Sequence, residues 1–209
     1  FYEKLCTEDK VDLLLPPWGT AANFAVAPVA NKYGYPLIGP TVTSMKLKEL
    51  AFPYFYAILQ QPDAMMGAVV ALLKELRAQG KVKKVAVIYV NDLFGIEMFN
   101  TASPLLKDSG LEVVETKSYP LGVKDLSPIL KGIKAAGADV LLGLTYPPDN
   151  ILATTQSKET DFNPPVFLTA VGTAFPFYRD RFKGAEGVMG VAGWNPKVKF
   201  AGAKEYFDA

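Results

Sequence analysis

The 209-residue sequence predicts a two-lobed α/β protein with parallel sheets flanked by helices, and three observations carry that prediction. Short apolar runs alternate with longer segments of helical period along almost the whole chain, which is the pattern of right-handed βαβ units. Half of the residues are hydrophobic and 21% are charged, enough for one or two packed cores and too apolar for a disordered chain. Two proline- and aromatic-containing stretches break the alternation, and each suits a crossing between lobes better than a sheet interior.

Taken in order, Val11 to Leu15 is an apolar run expected as a buried strand. Thr20 to Tyr33 has helical spacing and is closed by Gly34, with Pro28 expected to kink it or restart a turn. Pro36 to Ile38 is a second short strand. Phe52 to Pro62 is extended and flanked by prolines, the first crossing. Met65, Val69, Leu72, Leu73 and Leu76 share one face of a helix that stops before Gly80. Val85 to Tyr89 is a strand, Gly95 to Ser109 a helix stopped by Gly110, and Leu111 to Tyr119 an alternating strand. Leu126, Ile129, Leu130 and Ile133 form another helical stripe, capped by Asp125 or Ser127 and ended by Gly137. Strands at Val140 to Leu144, Val166 to Leu168 and Val188 to Val191 follow, with a helix between Pro148 and Thr160. Gly193-Trp194-Asn195-Pro196 is the second crossing, and Phe200 to Asp208 is amphipathic. The crossings divide the chain into 1–58, part of one lobe; 59–193, the second lobe; and 194–209, a return into the first.

Composition excludes several chemistries. Histidine is absent and Cys6 is the one cysteine, so Ser-His-Asp and Cys-His systems and zinc sites built from His or several Cys are ruled out. Cys6 falls in the last turn of a short helix, where a thiol serves as a small hydrophobe. The formal net charge is +1 and the only basic cluster, Lys81 to Lys84, leads into a strand, so no nucleic-acid face is expected. The longest apolar stretch, Met65 to Leu73, is too short to cross a bilayer. No P-loop, strand-to-helix G-x-G-x-x-G or G-x-S-x-G elbow is found. Thr43-Ser44-Met45-Lys46 fits a nucleophile pattern only if Lys46 leaves a solvated helix face. Asp92, Asp149 and Asp161 stand near strand ends, where loop and cap roles are the default. No cofactor is implied, and no enzymatic activity is expected.

The informative positions lie at the C-terminal ends of strands, where open α/β sheets bind ligands. Trp18-Gly19-Thr20 places a hydroxyl at the expected N-cap of a helix, with a glycine that lets a guest approach the backbone. A plain threonine cap beside a packed Trp18 accounts for the same residues. Thr41 and Thr43 follow the next strand. Phe94 and Tyr146 follow later ones, as cavity walls or as core, and Thr169 follows the Val166 to Leu168 strand. Hydroxyls on one lobe facing rings on the other would form a cleft for a small ligand.

At these residues the chain resembles the type I periplasmic solute-binding proteins, in the leucine/isoleucine/valine-binding branch that serves ABC importers. The resemblance is carried by Lys10-Val11-Asp12, Ala27-Pro28-Val29-Ala30 and Pro36-Leu37-Ile38-Gly39-Pro40-Thr41-Val42-Thr43. It continues through Val87-Ile88-Tyr89 to Phe94-Gly95, then Asp125-Leu126-Ser127-Pro128 to Lys134-Ala135-Ala136-Gly137-Ala138-Asp139. It implies two Rossmann-like lobes joined by hinge strands, with further segments before Phe1 and after Ala209, and a periplasmic or extracellular location. It also implies a membrane permease as partner, a ligand carboxylate held by Thr20, Thr41 and Thr43, and second-lobe contacts from Phe94 and Tyr146. The same architecture serves as the sensing domain of receptors and regulators, the alternative reading. In this family an acidic residue often follows the strand that ends at Leu168, to pair with an α-ammonium group; this chain has Thr169. An unpaired cation in a closed cleft costs several kcal/mol. The expected ligand is a small organic acid or an amino-acid-like molecule, with preference for a carboxylate without an α-ammonium group, aromatic or branched aliphatic, walled by Trp18, Phe94 and Tyr146.

Overall fold

The computed structural model describes residues 1–182, 187–193 and 198–208. Its elements run α1 (Tyr2–Thr7), α2 (Thr20–Tyr33), β1 (Leu37–Gly39), α3 (Met45–Glu49), β2 (Phe55–Ala57), α4 (Pro62–Ala78), β3 (Lys84–Val90) and α5 (Leu93–Asp108). Then come β4 (Glu112–Tyr119), α6 (Ser127–Ala135), β5 (Val140–Leu144), α7 (Pro147–Glu159), β6 (Val166–Thr169), α8 (Pro176–Arg181), β7 (Val188–Gly190) and α9 (Ala203–Asp208). Among the described residues, no helix is long and apolar enough to cross a membrane.

The larger lobe is built on a five-stranded parallel sheet in the order β4-β3-β5-β6-β7. Continuous apolar runs make its central strands: Val85 to Ile88 in β3, and Val140, Leu141, Leu142 and Leu144 in β5, have no exposed surface. Such runs fit strands covered on both faces, and α4 packs with α5 while α6 packs with α7. Met66, Leu73, Met98, Leu106, Leu130 and Ile133 fill the core from those helices. The order reverses at β3, since the chain goes to β4 on one side and to β5 on the other. A crevice therefore opens beyond the carboxyl ends of β3 and β5, the switch point at which α/β sheets bind ligands.

The smaller lobe has a two-stranded parallel sheet, with Leu37 opposite Phe55 and Gly39 opposite Ala57. Its separate core gathers Leu14, Val26, Ala27, Ala30, Leu37, Val42 and Leu47. Gly34 closes α2 with φ of 75°, a left-handed conformation that leaves its amide to bond the Ala30 and Asn31 carbonyls.

Four expectations need correction. Val11 to Leu15 forms no strand: Leu14 is buried, but Leu13 and Leu15 are 78% and 84% exposed. Apolarity marks a segment for burial, whereas a strand also needs a neighbour to pair its amides and carbonyls. Phe52 to Pro62 is more than a crossing, because Phe55–Ala57 completes the small sheet before the chain passes into α4. β4 does not alternate cleanly; it is an edge strand, paired with β3 alone, whose Val113 is exposed. Gly19, not Thr20, occupies the N-cap position of α2. Of the second crossing, Gly193 is described, while Trp194-Asn195-Pro196 lie outside the described residues. The described members of the two cores run to Phe55 in the small lobe and begin at Met65 in the large one.

Candidate functional site

Three helix N-termini converge on the space between the lobes, and they differ in how their amides are satisfied. In α5, Asp92 is the N-cap and its Oδ1 accepts from the Gly95 amide at 2.9 Å. In α7, the Asp149 carboxylate accepts from the Tyr146 amide at 3.3 Å. α2 has no side-chain cap. Its N-cap, Gly19, has φ of 94° and ψ of 155°, a backbone that side chains disfavour; a Cβ there would meet nothing within 4 Å, so conformation and not space requires the glycine. The uncapped first turn and the positive end of the helix dipole thus remain available to an anion.

The β1–α3 turn is tied to that helix end. Thr41 Oγ1 accepts from the Gly19 amide at 3.1 Å. Thr20 Oγ1 donates to the Thr43 carbonyl and accepts from the Thr43 amide, both at 3.3 Å. Thr43 Oγ1 donates to the Gln60 carbonyl at 3.2 Å. These bonds leave Thr41 with a hydroxyl hydrogen to donate and Thr43 with lone pairs to accept. Asn23, one turn into α2, donates to the Pro17 and Gly19 carbonyls at 2.6 and 2.8 Å and fixes the loop that carries Trp18.

The opposite wall is aromatic. Phe94 and Tyr146 stack with centroids 5.0 Å apart and planes 23° from parallel. Trp18, from the other lobe, meets Tyr146 edge-on at 5.3 Å and 64°, a geometry that adds about 1 kcal/mol to the burial of such a pair. The Tyr146 hydroxyl donates to Asp92 Oδ2 at 2.7 Å, and the Tyr119 hydroxyl donates to Asp149 Oδ2 at 3.2 Å. Burial first, and then the neighbouring carboxylates, push both phenols far above their ordinary range. Burial also raises Asp149 above the usual carboxylate value, against the lowering effect of its bonds to the Tyr146 amide and the Tyr119 hydroxyl.

These surfaces enclose a cavity of about 300 Å³. Trp18, Gly19, Thr20, Thr41, Thr43, Phe94 and Tyr146, all selected from the sequence, line it together. Thr169 does not: it ends β6, is 1% exposed, and its hydroxyl is engaged with that of Thr173. Ala170, Val171 and Gly172 face the cavity in its place. Asn150 positions that turn by donating to the Val171 carbonyl while its own amide oxygen accepts from Thr145. Leu59, Met65, Phe175 and Val191, none of them expected at the site from sequence, reach the cavity from the segment before α4, from α4 itself, from the start of α8 and from the end of β7. No Asp, Glu, Lys or Arg lines it among the described residues. Among the same residues, no cluster of three or more potential metal ligands exists.

The fold and cavity define a two-lobed α/β protein with a chamber between its lobes. The chain belongs to the periplasmic binding protein family, whose model matches residues 1–209. A Leu/Ile/Val-binding protein homolog (number 7) of Brucella abortus is 32% identical over 122 residues, which amount to 58% of this chain and 30% of that relative. A second homolog of the same organism, number 8, is 29% identical over 81 residues, 39% of this chain and 20% of the relative. The leucine-binding protein LivK of Thermotoga maritima superposes with a TM-score of 0.82 at 18% identity, covering 99% of this chain and 58% of its own. A solute-binding protein from Rhodopseudomonas palustris, solved in complex with 4-hydroxybenzoate, gives 0.78 at 18% identity, covering 99% and 56%. The chain thus spans less than two thirds of the length of each of these four proteins.

Proposed function

We propose that this chain belongs to the extracytoplasmic solute-binding component of an ABC importer, and that it captures a small carboxylic acid between its lobes without transforming it. The observation that carries the proposal is the cavity of about 300 Å³, lined by hydroxyls and an uncapped helix end on one side and by rings on the other, with no charged side chain on its described surface. A carboxylate at the start of α2 would receive hydrogen bonds from backbone amides and from Thr41. An apolar body would lie against Trp18, Phe94 and Tyr146. An α-ammonium group would find no carboxylate there, so the reading favours aromatic or branched aliphatic acids over α-amino acids. Family membership supports the transport role, and the hydroxybenzoate bound by the R. palustris relative is an acid of the proposed kind. Contacts from both lobes to one guest would favour the closed arrangement, with residues near 58–62 and 193 as the pivot. The cargo would then pass to a membrane permease.

Titration calorimetry of the full-length protein with benzoate, 4-hydroxybenzoate, 4-methylpentanoate and leucine tests this. Micromolar or tighter binding of at least one acid, with leucine weaker, is expected. Tight leucine binding with no heat from any of the acids would overturn the ligand class.

A further inference from the structure

A second cavity of about 350 Å³ adjoins the first, and the two share Trp18, Gly19 and Tyr146. Asp92 and Asp149 line this second chamber and do not line the first. Tyr146 therefore stands between two spaces, offering its ring to one while its hydroxyl is bonded to a residue of the other. The partition consists of that ring and the edge-on Trp18, which is half-exposed and comes from the opposite lobe. Tyr146 is buried in the large core, its backbone held by Asp149 and one ring face by Phe94, and its hydroxyl reaches past that packing to Asp92.

We propose that Asp92 is a positioning residue for ligand size: by accepting from the Tyr146 hydroxyl it holds the partition in place and limits the site to the inner chamber. One carboxylate does two jobs, since its other oxygen anchors the α5 turn that carries Phe94. Both stacked rings are thereby referenced to a single side chain. With the tether removed, the ring can swing, the chambers join, and an acid with a longer apolar body gains a place for its far end. That end must be neutral or cationic, because the outer chamber carries two carboxyl groups.

The inference rests on the acid-binding reading above, so its test has one arm with ligands and one without. In the full-length protein, the affinity ratio of 2-naphthoate to benzoate is measured for wild type, Tyr146→Phe, Asp92→Ala, Asp92→Asn and the Asp92→Ala/Tyr146→Phe pair. Either Tyr146→Phe or Asp92→Ala raises the ratio about fivefold, the scale of one hydrogen bond, and the double variant gains no more than the larger single effect. Asp92→Asn stays near wild type, because an amide can still accept from Gly95 and donate to the tyrosine oxygen. In the second arm, 5-fluorotryptophan is incorporated and the Trp18 signal assigned by its loss in Trp18→Phe. Tyr146→Phe shifts or broadens that signal with no ligand present. If neither acid binds wild type, the acid reading fails and the fluorine arm alone decides the tether. An unchanged Trp18 signal overturns the proposal, as does an unchanged ratio with a lowered melting temperature in Asp92→Ala, which would leave Asp92 as a helix cap only.

Discussion

The two lobes solve the same packing problem with different amounts of material. The large lobe surrounds β3 and β5 with helices on both faces, and its buried hydrophobic side chains, Ile88 and Leu142 among them, lie in one continuous cluster. The small lobe rests on two three-residue strands, and it leaves Leu13, Leu15, Ile38 and Tyr56 more than half exposed. Yet the small lobe supplies the hydrogen-bonding end of the cavity together with Trp18, and the large lobe supplies the stacked rings of Phe94 and Tyr146. A helix start and a turn are held in register by a few bonds among Gly19, Thr20, Thr41 and Thr43. A flat apolar wall needs a rigid base, and the switch point of a five-stranded sheet provides one.

The comparison can be broken at its strongest point first. Leu142→Ala removes a fully buried side chain from β5 and should cost about 3 kcal/mol, read as a lower urea midpoint for the large lobe. Leu15→Ser, at an exposed position, should stay within about 0.5 kcal/mol. Equal losses for the two would mean that the outer face of the small lobe is covered in the intact protein. Next in size is Gly95→Ala, where a Cβ would lie 2.0 Å from the Val90 carbonyl oxygen. Relieving that overlap moves the start of α5 and should cost about 2 kcal/mol, with a loss of acid affinity that Leu15→Ser does not share. A wild-type melting temperature would show that the turn after β3 is softer than its packing suggests.

The smallest expected effect is electrostatic. Because burial holds the Asp149 carboxyl above its ordinary value of 3.8, the folded state binds this proton more tightly than the unfolded chain. Its favourable contribution is complete below pH 3.8 and declines as pH rises through the elevated folded value. Asp149→Asn, which does not titrate, should flatten that part of the stability–pH curve, followed by denaturation at successive pH values. An unaltered slope would assign the titration elsewhere.

Much of this was legible in the residues themselves. The runs at Val85 and Val140, the stripe from Leu126 to Ile133 and the glycine stop at Gly34 each report a local need, for burial or for a left-handed turn, and each fell where expected. Seven of the eight site residues meet at one cavity: Phe94 and Tyr146 follow β3 and β5, neighbours in the large sheet, while Thr41 and Thr43 follow β1 and are bonded to the start of α2 that carries Trp18, Gly19 and Thr20. What was not legible depends on pairing across distance. Val11 to Leu15 has strand composition but no strand beside it, and Phe55–Ala57 has a partner that its prolines disguised. Thr169 sits at the right strand end with its hydroxyl taken by Thr173, a choice of rotamer that no pattern announces. The bond from Tyr146 to Asp92 spans 54 positions.

Gln60 joins parts of the chain that sequence holds far apart. Its carbonyl accepts from a hydroxyl 17 positions earlier, and its side chain donates at 2.7 Å to the Gly193 carbonyl, 133 positions later. Bonds of this kind at a wet surface contribute about 1 kcal/mol, enough to keep two passes of backbone side by side and too little to weld them. The result is a seam in which Thr43, Gln60 and Gly193, drawn from three distant parts of the chain, are linked through a single residue.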